Sequence, residues 1–312
     1  MGMALRTIVL SLAWFAAINA SASLLAWMLA ARPRNLPLPD RARRLMLVRI
    51  LPGAASLMFA ALVFLPSHLL LEPRDAAETL GILWLVLATG GALLLTRSAV
   101  RAWRTWRIGR RLLSATHQRA GGAAGVHELE GFAGVSLAGV LHPRILIGAE
   151  VTRELTPAEL EVAVAHERAH GDAFDNLTRW LILCAPDFFG GSSRAKRLEA
   201  DWHETAESLA DARAVAGDRM RALHLAAALV KVARLSAATP FAHAVPAWST
   251  LNDPPLLERR VRELLAEAPA PPIPRRRPIF VVASIGVAFL SVAALGAESL
   301  HHLTEQLIAL LP

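Results

Sequence analysis

The chain has 312 residues, 54% of them hydrophobic, and its 33 lysines and arginines exceed its 26 aspartates and glutamates by seven. Its mean hydropathy is positive, so the chain has more apolar residues than a soluble domain of this length needs to form its core. This composition argues against an entirely soluble protein. The single cysteine, Cys184, excludes an intramolecular disulfide, and its apolar neighbours predict a packed thiol.

Four stretches lack acidic and basic residues over about the 20 residues that a membrane-crossing helix needs. They are residues 7–31, 50–71, 79–96 and 278–297. We therefore predict a mostly α-helical membrane protein with four transmembrane helices. The first apolar run is longer than the roughly 7–15 residues of a signal-peptide core, which favours an uncleaved anchor.

Arginines flank these stretches unevenly. The loop between the first two predicted spans carries six: Arg32, Arg34, Arg41, Arg43, Arg44 and Arg49. The loop between the second and third carries only Arg74, while further arginine clusters follow the third span and precede the fourth. Because cytoplasmic loops are enriched in Lys and Arg, the segment between the third and fourth spans is predicted to face the cytosol, with both chain ends outside. A multi-pass protein of the cell membrane is expected.

The segment RAWRTWRIGRR, residues 101–111, directly follows the third predicted span. Interleaved Trp and Arg can bind single-stranded nucleic acid by stacking and phosphate contacts. The same composition is typical of a membrane interface, where Trp lies among the headgroups and Arg binds anionic lipid. Its position beside a span favours the bilayer as its partner and argues against direct nucleic-acid binding.

Residues 98–274 are numerous enough for one domain with its own core. In its first part, VSLAGV and RILIG predict two short strands joined at His142-Pro143. VSLAGV is a candidate edge strand, along which an extended polypeptide could add by backbone pairing.

Three helices are predicted after these strands. The first begins at Thr156-Pro157, where a capping box coincides with a proline at the first helical position, and ends after His170 because Gly171 follows. The others cover about 193–216 and 220–235. The expected architecture is three membrane helices in residues 1–97, an α+β domain in 98–274, and a fourth membrane helix with a short tail in 275–312.

His166-Glu167-Arg168-Ala169-His170 forms an HExxH motif in the first of these helices. Residues four apart share a helical face, so both imidazoles can reach one ion while Glu167 lies beside them. The pattern is typical of zinc hydrolases in which the glutamate accepts a proton from the attacking water. We expect one catalytic Zn²⁺ with Glu167 as general base. Two surface histidines on an amphipathic helix are the alternative.

A catalytic zinc usually has three protein ligands and an open position for water. Glu207, in the sequence AESLADARAV, is the expected third ligand. Asp211 lies one turn later and is expected to hydrogen-bond a ligating histidine, which would fix its tautomer. Asp201 and Glu204 on the same helix are the competing carboxylates.

Several zinc proteases stabilise the substrate oxygen with a tyrosine, and this chain has none. His203 lies four residues before Glu207 on the same helical face and is a candidate for that role, with a solvent-facing histidine as the alternative. Asp175 and Asn176 are candidates for supporting a metal ligand or binding substrate, with a structural cap as the alternative.

The order of these motifs, HERAHGDAFDN and then AESLADARAV between the third and fourth predicted spans, resembles the gluzincin metallopeptidases. Within them it is similar to the bacterial membrane antirepressor peptidases of BlaR/MecR type. The resemblance implies a zincin-like fold, zinc at His166, His170 and Glu207, Glu167 as base and Asp211 in support. It also implies proteolysis of a cytosolic repressor or regulator in response to an outside signal.

The chain departs from that family after the fourth predicted span. The family's sensors continue into a large penicillin-binding domain, whereas only residues 298–312 follow here, so β-lactam recognition by this chain is not expected. A signal would then arrive through the spans, the tail, a membrane sensor partner or a second copy of the chain. The HtpX-like quality-control proteases share both motifs and the membrane setting, so they are the nearest alternative. DPPLLERRVREL is similar to their proline-arginine segment and does not separate the two families.

An intramembrane protease and a non-catalytic transducer are two alternatives to a cytosolic protease. An intramembrane protease would place HExxH inside a span, but Arg153, Glu154, Glu159 and Glu161 closely precede the motif and would be costly in lipid. A non-catalytic membrane transducer with a structural zinc remains open. The intact Glu167 favours an enzyme, because a structural site does not need a base.

Overall fold

The computed structural model describes residues 2–29, 36–71, 80–114, 117–118, 126–129, 131–236, 249–251, 254–266, 296, 299 and 302–310. This part of the chain is mostly helical, with one small sheet. The predicted fourth span, 278–297, lies outside the described residues apart from Gly296, as does the proline-rich segment before it.

Three helices in the described residues are long and apolar enough to cross a membrane. They are α1 (Met3–Leu29); α2 (Leu38–Met58), continued by a π-helical stretch (Phe59–Phe64) and by α3 (Leu65–Leu71); and α4 (Ile82–Ser114). They correspond to the first three predicted spans and indicate a membrane protein.

The second of these helices begins twelve residues before the predicted span. Arg41, Arg43, Arg44 and Arg49 therefore lie in α2, and their placement in a loop was wrong. The helix starts behind Pro37, and arginine is a good helix former, so the chain becomes helical before it becomes apolar.

The third membrane helix also extends beyond its apolar stretch. At about 1.5 Å per residue, the 33 residues of α4 span about 50 Å, against a hydrocarbon core of about 30 Å. The arginine- and tryptophan-rich segment 101–111 therefore continues the same helix. Gly91 packs α4 closely on α1, because a Cβ at this position would lie 2.4 Å from the Leu12 carbonyl oxygen.

Between residues 117 and 266, the described chain forms a sheet and six helices, and residues 302–310 are also helical. The strands are β1 (His117–Gln118), β2 (Val126–Leu129), β3 (Val135–Ala138), β4 (Arg144–Gly148) and β5 (Ser249–Thr250). The helices are α5 (Ala149–Glu154), α6 (Pro157–Ala173), α7 (Asp175–Cys184), α8 (Ser193–Val215), α9 (Arg219–Ser236) and α10 (Pro254–Leu265).

The strand order is β1-β2-β4-β3-β5, with β2 and β4 parallel and the other pairs antiparallel. The predicted strands VSLAGV and RILIG correspond to β3 and β4. The prediction of a free edge at VSLAGV was wrong, because β5 pairs with Ser136 and Leu137 along the outer side of β3. The strand that covers this edge comes from a part of the chain more than a hundred residues later, which local sequence patterns do not show.

The loop between α7 and α8 contacts α1 and α2, two of the helices of membrane length. The Asn19 amide of α1 donates to Ser56 Oγ of α2 (3.0 Å) and to the Pro186 carbonyl (2.9 Å), and its oxygen accepts from the Phe188 N–H (2.9 Å). Buried Arg49 of α2 forms ion pairs with Asp187 and, at 2.6 Å, with Glu199 of α8.

Candidate metal centre

The first residues of the candidate site are carried by α6, whose start agrees with the predicted capping box. The Glu159 N–H donates to Thr156 Oγ1 (3.3 Å), and the Thr156 N–H donates to the Glu159 carboxylate (2.8 Å). The helix continues past Gly171 and ends at Phe174, whose φ of 57° turns the chain sharply into α7. This left-handed turn brings Asp175 back towards His170.

In the described part of the chain, His166, His170 and Glu207 form a buried group whose ligand atoms lie within 4.8 Å of one another. The two Nε2 atoms are 3.1 Å apart, and Glu207 carboxylate oxygens lie 3.5 Å from His166 Nε2 and 3.4 Å from His170 Nε2. Ligand atoms of a tetrahedral zinc site lie about 3.3 Å apart when metal–ligand distances are about 2.0 Å. The three groups therefore fit one face of such a site.

The other ring nitrogens fix how these histidines carry their protons. His166 Nδ1 lies 2.9 Å from Asp211 Oδ1, and His170 Nδ1 lies 2.7 Å from Asp175 Oδ2. Because an ionised carboxylate can only accept, a carboxylate this close favours a proton on each Nδ1, which leaves both Nε2 lone pairs to converge with the Glu207 carboxylate. Three converging acceptors attract a proton or a metal cation. The chemistry of the donor set thus fits a metal ion.

The charges around the site shift the pKa values of its acids and bases. Burial opposes the charged form of each histidine, but Glu207 and the Asp partners outweigh it, so the pKa of His166 is raised and that of His170 is raised strongly. Burial also opposes ionisation of Glu207, but Arg260 and the histidines hold its pKa well below the usual range. The metal-free site therefore attracts positive charge.

Glu167 is fully buried beside the two histidines. Burial raises its pKa from 4.5 to about 7, against the opposite effect of His166 and His170. A carboxyl group with a pKa near neutrality can both accept and return a proton at physiological pH.

The structure brings together most residues that the sequence singled out. Asp211 and Asp175 each face the Nδ1 atom of one histidine. His203 lies at the margin, with a side chain that is 17% exposed and Nδ1 3.9 Å from Glu207 Oε1. Of the competing carboxylates, Glu204 instead pairs with Arg259 at 2.8 Å.

Asn176 and Cys184 have contacts that indicate structural roles. The Asn176 amide donates to the carbonyls of Leu137 (2.7 Å) and Gly139 (2.9 Å), which fastens α7 to β3. Cys184 is half-buried, and burial raises the pKa of its thiol to about 11. A thiol that stays protonated at neutral pH is a slow nucleophile and a poor metal ligand.

Arg260 was missed by the sequence reasoning. It is 0% exposed and reaches the site from α10, where it binds Asp211 by two hydrogen bonds and lies 2.9 Å from Glu207 Oε2. The sequence did contain a signal for Arg260, namely its spacing from two leucines. It follows Leu257 by three positions and precedes Leu264 by four, so all three residues share one helical face. It therefore lies on the apolar face of an amphipathic helix, where an arginine must have a buried partner.

No protein-family model and no curated protein sequence matches this chain. The interpretation of the site therefore depends on its own geometry. The described residues hold a buried candidate metal centre of two histidines and one glutamate, in a chain with three helices long and apolar enough to span a membrane.

Proposed function

We propose that this chain is an integral-membrane zinc endopeptidase that cleaves a cytosolic regulator or repressor. The observation that carries the proposal is the convergence of His166 Nε2, His170 Nε2 and the Glu207 carboxylate, with the buried Glu167 beside them. Two nitrogens and one carboxylate are the ligand set of many catalytic zinc sites, which leave a fourth position for water. A structural zinc site would have a fourth protein ligand and no use for Glu167.

Each residue has a part in peptide hydrolysis. Bound zinc would lower the pKa of a water molecule to about 7 and polarise the substrate carbonyl. Glu167 accepts the proton of the attacking water at its carboxylate and returns a proton to the leaving amine. Asp211 and Asp175 hold the two imidazoles with Nδ1 protonated, so that both Nε2 atoms face the metal position. His203, at the margin of the site, would donate to the substrate oxygen.

The proposed topology has four spans, with the peptidase domain in the cytosol between the third and fourth. Its support is the three membrane-length helices, the arginine distribution and the apolar stretch 278–297. The order of HExxH and ExxxD between these spans supports a relationship to the BlaR/MecR-type antirepressor peptidases, with a gluzincin fold. HtpX-like quality control is the second candidate, favoured by the same two motifs in a membrane setting. DPPLLERRVREL, whose Arg260 lies in the site, is compatible with both candidates.

The proposal is tested by comparing wild type with Glu167→Gln in cells. The glutamine variant keeps all three ligands, so purified protein should contain zinc at the wild-type ratio while site-specific cleavage is lost. Glu161→Gln, an exposed change on the same helix, should cleave normally. Quantitative proteomics of cytosolic fragments then identifies the substrate class.

The fragment pattern separates the alternatives. Wild-type-specific fragments of one small DNA-binding regulator support antirepressor signalling, whereas fragments of many misfolded membrane proteins support quality control. Equal fragments in both strains, with zinc bound in both, contradict peptidase activity and leave a non-catalytic zinc-binding transducer.

A further inference from the structure

We propose that Arg260 is a positioning residue of the metal centre, which holds Glu207 and Asp211, and through Asp211 also His166, in the arrangement that binds a divalent cation. The inference depends on the metal site of the proposed function but not on peptide cleavage. It assigns a role to α10, a helix that carries none of the three metal ligands.

Arg260 holds one oxygen of Glu207. Arg260 Nη1 lies 2.9 Å from Oε2 of this carboxylate. The other oxygen, Oε1, faces His170 Nε2 at 3.4 Å and His203 Nδ1 at 3.9 Å. A guanidinium that holds one oxygen leaves the other to the metal, so Arg260 favours a ligand that binds through a single oxygen.

Arg260 also acts on His166, through Asp211. Arg260 Nε donates to Asp211 Oδ2 (2.8 Å) and Nη2 donates to Asp211 Oδ1 (2.6 Å), a planar two-bond contact that fixes the carboxylate. Asp211 Oδ1 in turn lies 2.9 Å from His166 Nδ1. Arg260 Nη2 also approaches His166 Nε2 at 3.4 Å, so the guanidinium lies against the ring that it orients.

Arg260 is itself held firmly in place. Its Nη1 donates to the carbonyl of buried Leu251 (3.0 Å), the residue that follows β5. The C-terminal end of α10 is fixed by Arg219, whose guanidinium donates to the carbonyls of Leu264, Leu265 and Ala266. The guanidinium is thus fixed relative to the sheet and α9 before any cation binds.

Positioning and simple charge repulsion predict opposite results. Arg260 carries a positive charge next to a cation site, so repulsion alone would make its removal strengthen metal binding. Positioning instead makes removal weaken binding, as is typical when a group that orients a metal ligand is lost. A lysine keeps the charge but cannot make the planar two-bond contact, so Arg260→Lys separates shape from charge.

The experiment measures zinc affinity of the full-length protein in detergent or nanodiscs by competition with a chromophoric chelator, without substrate. We expect Arg260→Lys and Arg260→Gln to bind zinc about 10- to 100-fold more weakly than wild type. Arg259→Gln is the matched control, because Arg259 is adjacent on α10, 34% exposed, and pairs with Glu204 and Glu263 outside the site. Its zinc affinity should equal that of wild type.

Cobalt provides a second measurement of ligand geometry. The visible absorption of the Co²⁺-loaded protein should change in Arg260→Lys and stay unchanged in Arg259→Gln, because Glu207 would gain freedom to bind through both oxygens. Unchanged or tighter zinc binding in both Arg260 variants would overturn the proposal. An equal loss in Arg259→Gln would also overturn it, since the effect would then belong to α10 as a whole.

A double variant keeps the test informative if Arg260→Gln does not fold. Arg260→Gln with Asp211→Asn removes the unmatched buried charge while the asparagine oxygen can still accept from His166 Nδ1. We expect this protein to fold and still bind zinc at least about 10-fold more weakly than Asp211→Asn alone, because Glu207 has lost its guanidinium. Equal affinity of the two proteins would show that Arg260 only neutralises Asp211. Failure to detect peptide cleavage would contradict the proposed function and leave these affinities interpretable.

Discussion

Glu167 shows how strongly burial controls the chemistry of a single residue here. The folded, metal-free protein holds its proton more tightly than the unfolded chain does, because burial raises its pKa from 4.5 to about 7. Stability from this group is therefore complete below about pH 4.5 and is lost as the pH rises towards and beyond 7. Glutamine, which has the same shape and stays neutral, would avoid this loss of stability at high pH.

We accordingly expect Glu167→Gln to stabilise the chelated, metal-free protein at pH 8 and to have little effect at pH 4.5. The gain at pH 8 is at most about 3 kcal/mol, the free energy that corresponds to this pKa difference. Thermal unfolding in detergent at both pH values measures it, with the exposed Glu161→Gln as control. Equal gains at both pH values would contradict a protonation effect.

The network of Asp175, Asp211 and Arg260 explains why HExxH alone says little about a metal site. The motif places two imidazoles on one face, but the direction of their lone pairs depends on residues outside it. Asp175 acts from the start of α7 and Asp211 from α8, and each fixes one Nδ1 atom. The site is therefore a product of four helices, α6, α7, α8 and α10.

At the scale of elements, the contact between the α7–α8 loop and the membrane helices is the most consequential. Asn19 joins α1, α2 and this loop by three buried hydrogen bonds. Gly53 of α2 allows the approach, because a Cβ there would lie 2.8 Å from Pro186. The loop leads directly into α8, which carries Glu207, so the membrane helices and the metal ligand share one continuous set of contacts.

Asn19→Ala should therefore lower the free energy of unfolding by about 1–3 kcal/mol, since it leaves the Phe188 N–H and the Pro186 carbonyl without their partner. Ser21→Ala on the same helix is the control, because the Ser21 hydroxyl is exposed and bonds only the Ala17 carbonyl among the contacts described. Thermal unfolding in nanodiscs compares the two variants. Equal midpoints would show that the loop is not anchored by Asn19.

For the whole molecule, the orientation in the membrane is the prediction with the largest consequence for function. In a Cys184→Ser background, a cysteine at Gly2 should react with a membrane-impermeant maleimide in intact cells. A cysteine at the exposed Glu150 should react only after lysis. Cys184 is replaced to remove background labelling, although its raised pKa already makes it a slow nucleophile. The opposite labelling pattern would place the metal site outside the cell.

Much of the fold could be predicted because its signals are local. The number of membrane-length helices in the first hundred residues follows from the length of the stretches without charged residues. The start of α6 follows from Thr156, Pro157 and Glu159. Helix ends were harder to predict. Helix α2 begins before the apolar stretch and includes four arginines, and α6 continues past Gly171 until Phe174 adopts a left-handed conformation. Those ends depend on what the neighbouring segments contact rather than on the residues themselves.

By itself, the sequence determined that the chain has apolar helices of membrane length. It also determined that two histidines stand four residues apart on one helix, with a candidate third ligand, a glutamate, on a later helix. Such features depend on hydropathy and helical period, which are properties of neighbouring residues. Only the tertiary structure decided that β5 covers β3, that Asn176 fastens that strand, and that Arg260 enters the site. Those contacts join residues far apart in the chain. The partner of a buried charge such as Arg260 is set by how the helices pack, which local sequence patterns do not contain.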